Sequence, residues 1–233
     1  MKKNVLRLLA LCFAVLLAYS GYRVWGIGAN YRDEAEMHGA VLEFKPEPDS
    51  TDGQGLTDLR AKYPDAVGWL TVPDTGIDYP FVWYGDNDHY LRRDLNGEHA
   101  TAGTLFMDFR CKRDFSSGNT IIYGHNMKNG SMFGTLKSFA DKAFFDGAPT
   151  GTICLPHRTI TLEFFAYLIV KSNDPEIYSA DPDGACLDYI RQNARQYRDI
   201  GVTAGDRIVT LSTCSREFDD ARGVLVARVG AGQ

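Results

Sequence analysis

Hydrophobic positions change their rhythm twice along this chain. From Leu8 to Tyr22 they form an almost unbroken run behind Lys2, Lys3 and Arg7, the pattern of an N-terminal membrane segment. Residues 30–44 place Tyr31, Ala35, His38, Val41 and Leu42 near one face, which predicts a separate helix outside the bilayer. Lys45 to Gly55 contains two prolines, two glycines and no large apolar residue, so it reads as a linker. Thr57–Tyr63 predicts a short capped helix stopped by Pro64. From Ala66 the pattern becomes a series of short β-rich runs: Val67–Val72, Ile77–Tyr84, Thr104–Phe109, Asn119–Tyr123, Thr159–Val170, Arg207–Thr213 and Gly223–Val229. Only Met132–Ala140 and Asp183–Tyr197 interrupt them as helices, the second keeping Cys186, Leu187, Ile190 and Ala194 on one side. Many short strands with few helices predict a mainly β fold, a closed or nearly closed barrel of about eight strands. The expected divisions are 1–28 for the cytoplasmic tip and membrane segment, 29–62 for juxtamembrane helix, linker and short helix, and 63–233 for the barrel.

Two readings of the N-terminus stay open. Ala18-Tyr-Ser20 offers small residues at the spacing of a signal-peptide cleavage site. An uncleaved single-pass anchor would extend to Ile27, with Arg23 snorkelling and Tyr22 and Trp25 forming an interfacial belt. Either reading puts the barrel outside the cell membrane, because positive charge ahead of the apolar run stays inside.

Charge narrows the partners. The chain of 233 residues carries 25 Lys and Arg against 30 Asp and Glu, a net −5. Lys2, Lys3, Arg7 and Arg23 precede residue 30, where no acid occurs, so residues 30–233 hold 21 bases against 30 acids, a net −9. Such an acidic body is a poor polyanion binder, and no nucleic-acid partner is expected. The five cysteines, Cys12, Cys111, Cys154, Cys186 and Cys214, form no Cys-x-x-Cys pair, which excludes zinc-ribbon and thioredoxin-like chemistry. A Cys154–Cys186 disulfide is compatible with an extracytoplasmic body; otherwise Cys111, Cys154 and Cys186 read as small buried hydrophobes.

Candidate chemistry lies at strand ends. Arg207-Ile-Val-Thr-Leu-Ser-Thr-Cys214 delivers a thiol to the end of a β-branched run, and Arg222 opens the next strand eight residues later. A hairpin of that length brings the guanidinium beside the thiol, where it would lower the thiol pKa or hold an oxyanion. The same spacing also fits a structural cysteine and a surface arginine. Among five histidines, His125 in Ile-Ile-Tyr-Gly-His-Asn-Met is the best base, because it too follows an apolar strand. Gly124 clears space beside it, and Asn126 is placed to orient its ring. A Cys–His–Arg trio on strand ends suits acyl transfer. Glu217, Asp219 and Asp220 would either orient Arg222 or form a solvated loop, with Phe218 packing on the barrel end.

These segments, Thr-Leu-Ser-Thr-Cys214, Arg222 and Tyr-Gly-His125-Asn-Met, together resemble a sortase, specifically class B. Pro64-Asp-Ala-Val-Gly-Trp-Leu, Thr75-Gly-Ile-Asp-Tyr-Pro, Asn87-Asp-His-Tyr-Leu91 and Gly103-Thr-Leu-Phe-Met-Asp-Phe-Arg110 extend the resemblance from about residue 57 to 229. It implies a membrane-anchored cysteine transpeptidase of a Gram-positive surface, with a sortase-type barrel. Such an enzyme cuts a sorting-signal peptide of the Asn-Pro-x-Thr or Ser/Asn-Pro-x-Thr-Gly type after Thr. It then passes the acyl group of the resulting thioester to an amine of peptidoglycan or of its lipid-linked precursor. The resemblance assigns Cys214 as nucleophile, His125 as general acid/base and Arg222 as oxyanion and substrate clamp. Asn87, Leu91, Ser212 and Thr213 would contact the signal, as would Ile177 and Tyr178 in the 172–180 loop that covers substrate in the family. Ser215 stands where some class B relatives have an acid. No acidic cluster of the kind that holds calcium in class A is present, so neither metal nor cofactor is expected.

Two rivals remain. Wall peptidases of the Cys–His type place Cys before His, the reverse of this order, and the Ser-His-Gly-x-x-Cys context of L,D-transpeptidases is absent. A non-catalytic wall or pilus scaffold module would have no use for Cys, His and Arg together at strand ends.

Overall fold

The structure, a computed structural model, describes residues 2–46 and 54–230. It divides into two compact units, residues 1–40 and 41–233. The first is almost entirely one helix, α1 (Lys2–Val41). Its segment Lys3–Gly26 has a mean hydropathy of 1.9 and is long and apolar enough to cross a membrane. Leu9, Phe13, Leu16, Leu17 and Val24 are all exposed along it, a surface suited to lipid rather than water. The separate helix expected over 30–44 is therefore the continuation of α1, followed by a short 3-10 turn over Leu42–Phe44. Glycine weakens a helix by only about 1 kcal/mol, and no proline occurs before Pro46 to stop this one.

The second unit begins with the turn at Leu42–Phe44 and α2 (Gln54–Lys62). The linker expected over 45–55 thus ends at Gln54, and its residues 47–53 lie outside the described residues. Lys45 is fixed by Asp78, 2.6 Å away. Among the described residues nine strands follow: β1 (Ala66–Val72), β2 (Ile77–Trp83), β3 (Leu105–Met107), β4 (Asn119–Tyr123), β5 (Thr150–Leu155), β6 (Arg158–Lys171), β7 (Gln196–Tyr197), β8 (Ile208–Cys214) and β9 (Ala221–Val229). Their order is β5-β1-β2-β3-β4-β8-β9-β6, and pairing of β6 with β5 closes the ring into an eight-stranded barrel, while β7 attaches to β6. Closure removes the exposed sheet edges that a free barrel wall would present.

The closing strand β5 is the element that periodicity overlooks. Only Ile153 and Leu155 are large and apolar in Thr-Gly-Thr-Ile-Cys-Leu, and the strand alternates buried with less buried positions. Gly151 packs under the Phe164 ring, 2.9 Å from where a Cβ would stand. The helix expected over 132–140 is instead a turn and a 3-10 segment, Leu136–Ala140, because Met132 adopts a left-handed backbone (φ 51°). A helix begins only at α3 (Lys142–Gly147), where the Asp141 carboxylate accepts the Phe144 N–H at 2.9 Å. The strand expected over 104–109 shrinks to three residues. The helix expected over 183–197 becomes α4 (Gly184–Asn193), stopped at Ala194, whose extended backbone turns the chain into β7.

Aromatic rings fill the barrel: Phe139 meets Phe164 and Phe145 edge to face, with centroids 5.4 and 6.5 Å apart. Phe164 is fully buried on β6, beside the β5 seam. Phe164→Ala should lower unfolding free energy by about 3–5 kcal/mol, measured by urea denaturation of the detergent-solubilised chain.

Candidate active site

The site is made by a parallel strand pair. β4 and β8 run side by side in register, with Tyr123 opposite Ser212, so both C-terminal ends reach one rim of the barrel. Beyond β4 the chain stays tied to β8. The Gly124 N–H donates to Ser212 O at 3.1 Å, the Thr213 hydroxyl donates to Gly124 O at 2.7 Å, and the Asn126 amide donates to Cys214 O at 2.7 Å. His125 lies between two residues bonded to the segment that ends in Cys214. A side chain at position 124 would collide with Leu105 and the Phe133 ring, so only glycine lets the chain approach this closely. Asn126 does not orient the His125 ring, as its sequence position suggested; its amide holds the backbone of Cys214 instead.

On the other side of β8, β9 runs antiparallel and sets Arg222 directly across from Cys214. The Arg222 guanidinium donates to Ala221 O at 3.1 Å, and among the described residues no carboxylate lies within ion-pair distance of it. The acidic connection does not supply one: Glu217 pairs with Arg195, and Phe218 is exposed rather than packed on the barrel end. Cys214 is exposed at its strand end. The remaining described cysteines are also free, so the Cys154–Cys186 disulfide does not form. Burial pushes the Cys111 and Cys186 thiols up to about 11.

The other candidate residues fall into two groups. Ser212 lies on the face of β8 that Cys214 shares by alternation, and its hydroxyl meets the Tyr178 hydroxyl at 2.8 Å. Ile177 and Tyr178 are buried, because the Asn119 amide donates to the carbonyls of Ile177 and Ser179 and draws that loop onto the barrel. Burial raises the Tyr178 hydroxyl to about 12, so it remains a neutral hydrogen-bonding group. Leu91 is exposed on the 3-10 turn His89–Arg92. Thr213 is the exception: its hydroxyl is committed to Gly124 O and lies on the alternate face from Ser212.

A residue that sequence reading missed organises this side of the site. Asp108 follows β3 with no solvent exposure. Its carboxylate accepts two bonds from the Arg110 guanidinium at 2.8 and 2.7 Å, the Tyr123 hydroxyl at 2.9 Å and the Asn87 amide at 3.1 Å. Burial pushes its pKa up, but the bonds from Arg110, Tyr123 and Asn87 together outweigh that and hold it below the usual carboxylate range. Asn87 also accepts the Phe109 N–H at 3.1 Å, so both ends of its amide are fixed. A charged residue inside Leu-Phe-Met-Asp-Phe was the available signal.

On its far side Cys214 opens onto a cleft of about 410 Å³, walled by Asn126, Lys128, Lys137, Tyr167 and Glu217. Gly223 keeps that wall open, since a Cβ there would stand 2.9 Å from the Tyr167 hydroxyl.

The family model of the sortase domain matches residues 70–229. The sortase B of Listeria monocytogenes is 34% identical over 228 residues, covering 91% of this chain and 92% of that protein. The chain belongs to the class B sortases. Sortases are cysteine transpeptidases. Among solved structures, sortase B of Bacillus anthracis in complex with AAEK1 superposes with a TM-score of 0.76 at 32% identity, covering 86% of this chain and 98% of that one. A Staphylococcus aureus sortase B–substrate complex gives a TM-score of 0.77 at 25% identity, covering 86% and 97%.

Two predictions follow from the geometry of this sortase. Iodoacetamide at neutral pH should modify Cys214 well before Cys111 or Cys186, as peptide mass mapping would show. His125 has its pKa lowered, first by burial and then by the Arg92 cation. NMR should therefore place its titration midpoint below the ordinary value of about 6.5, and Arg92→Gln should move it upward. The unfolded chain takes up that proton first as pH falls, so His125 contributes a loss of stability below about pH 6.5.

Proposed function

We propose that this class B sortase cuts surface-protein precursors after the Thr of an Asn-Pro-x-Thr or Ser/Asn-Pro-x-Thr-Gly sorting signal and joins the Thr to a cell-wall amine. The observation that carries the reading is the cross-strand pairing of Cys214 with Arg222, beside a His125 held by bonds on both flanks. The Cys214 thiolate attacks the Thr carbonyl carbon, and the developing oxyanion is met by the Arg222 guanidinium, which no carboxylate neutralises among the described residues. The C–N bond then breaks, and the His125 imidazolium protonates the departing amide nitrogen. An amine attacks the thioester, His125 takes its proton, and the thiolate is released. Burial of His125 favours neutral imidazole, so the thiolate–imidazolium form is a minor species and turnover is slow. Water competes for the same thioester.

Asn87, fixed by Asp108, and Leu91 form the surface for the signal peptide, with Ser212, Ile177 and Tyr178 buried behind it. Thr213 serves as a positioning residue. The amine, from peptidoglycan or its lipid-linked precursor, enters from the 410 Å³ cleft on the other side of the thiol. The apolar segment of α1 anchors the enzyme, with the barrel on the outer face of the cell membrane.

The test uses the full chain in neutral detergent with fluorogenic peptides carrying Asn-Pro-x-Thr-Asn, Ser-Pro-x-Thr-Gly and Leu-Pro-x-Thr-Gly cores. Cleavage after Thr and a thioacyl adduct by intact mass are expected for one of the first two, with both lost in Cys214→Ala. Absence of cleavage and adduct with all three peptides would return the chain to the scaffold reading.

A further inference from the structure

The barrel has a second cleft at the pole opposite Cys214. β1, β6 and β8 begin there, and β2, β5 and β9 end there, whereas Cys214 and Arg222 mark the other ends of β8 and β9. This cleft, about 530 Å³ in volume, is lined by Arg60, Arg113, Arg158, Arg207 and His157, with Asp114 as its single carboxylate. Four guanidinium groups in one cleft contrast with a body whose net charge is −9 over residues 30–233.

Two of these cations are held in place by backbone carbonyls alone. Arg158 donates to Asp114 O at 2.5 Å and Arg207 to Phe115 O at 2.9 Å. Both carbonyls belong to a turn with Phe115 in a left-handed conformation (φ 60°), pinned by its fully buried ring against Phe81. Arg113 lies 4.4 Å from the Trp83 ring centroid and donates to Trp83 O at 3.2 Å. Its carboxylate neighbour, Asp65, is 3.9 Å away and also accepts the Tyr90 hydroxyl. Among the described residues, no acid lies within ion-pair distance of Arg60, Arg158 or Arg207. Each guanidinium has five N–H donors, so a single carbonyl contact leaves most of the fork directed elsewhere.

We propose that this cleft binds the phosphate group of a phosphate ester. Planar carboxylates are saturated by one or two guanidinium forks, whereas the several oxygens of a phosphate accept from three or four. Val67, Leu155 and Pro156 give the cleft an apolar wall for the organic part of the ester. The phosphate belongs to a soluble phosphodiester or to an anionic lipid headgroup; both present the same oxygens.

The test titrates the full chain in maltoside micelles with glycerophosphoglycerol, followed by phosphorus NMR. A parallel arm measures thermal stability in micelles doped with phosphatidylglycerol or, as control, phosphatidylcholine. Saturable binding that weakens with added salt is expected in at least one arm. Arg60→Gln and Arg158→Gln should each weaken it by about tenfold, with Arg60→Lys in between. Arg60 lies on the exposed face of α2, so its variant should fold and retain peptide cleavage even if Arg158→Gln disturbs the 113–116 turn. Binding in the glycerophosphoglycerol arm alone identifies a soluble diester; stabilisation by phosphatidylglycerol alone identifies a lipid headgroup. Absence of saturable binding in both arms, or full-strength binding by Arg60→Gln, overturns the proposal.

Discussion

Parallel pairing of β4 with β8 is the constraint on which the site rests. In an antiparallel pair the C-terminal ends point apart, so His125 and Cys214 would sit at opposite poles. Parallel pairing requires a long crossover, and this chain uses everything from the turns after β4 through α3, β5, β6, α4 and β7 to make it. The side-chain and backbone bonds beyond Tyr123 then extend the pairing past the last ladder residue, where each strand would otherwise fray. Backbone geometry therefore brings His125 and Cys214 to one rim, and long flexible side chains have little part in it. Antiparallel β9 completes the arrangement by register alone.

A second layer of order comes from a charge enclosed in the barrel wall. Leaving Asp108 ionised and unpaired in that environment would cost several kcal/mol. Its five donors from Arg110, Tyr123 and Asn87 offset this and link the loop before β3 to β4. The Tyr123 ring stacks at 6.2 Å from that of Tyr178, whose hydroxyl reaches Ser212. A continuous path of polar and aromatic contacts thus runs from Asn87 to the strand bearing the thiol. Electrostatics fixes the side of the site facing the proposed signal peptide, and sterics at Gly124 and Gly223 keep its centre and far side open.

Legibility from sequence followed the strength of local patterns. The strands that carry or lead into Cys214, His125 and Arg222 are β-branched runs with clear polar ends, and they were readable as strands; the roles that the family resemblance attaches to the three residues belong to the proposed function. The barrel was readable as a class, but β5 was not, because Gly151 and two threonines dilute its apolar signal. The turn at Met132 was hidden because a positive φ at methionine is imposed by tertiary packing, not by composition. Asn126 and Thr213 each adjoin a candidate site residue, and were read as orienting the His125 ring and as contacting the signal. Both in fact bond to backbone across β4 and β8, a preference invisible until the strands are paired. Asp108 escaped because an acid at a strand end usually signals solvent.

The order of elements along the chain has a further bearing on how the molecule comes into being. β8 and β9 are contributed by residues 208–229, the last strands in chain order among the described residues. The parallel partner of β8, β4, lies far earlier, so the contacts that bring the His125 segment to Cys214 span a long stretch of sequence, whereas Cys214 and Arg222 meet in the local β8–β9 hairpin. Contacts of long sequence separation form late in folding, and during synthesis the β4–β8 pairing must wait for β8. The strand end bearing Cys214 and the residues after β4 therefore come together only when β8 joins β4 to complete the barrel wall.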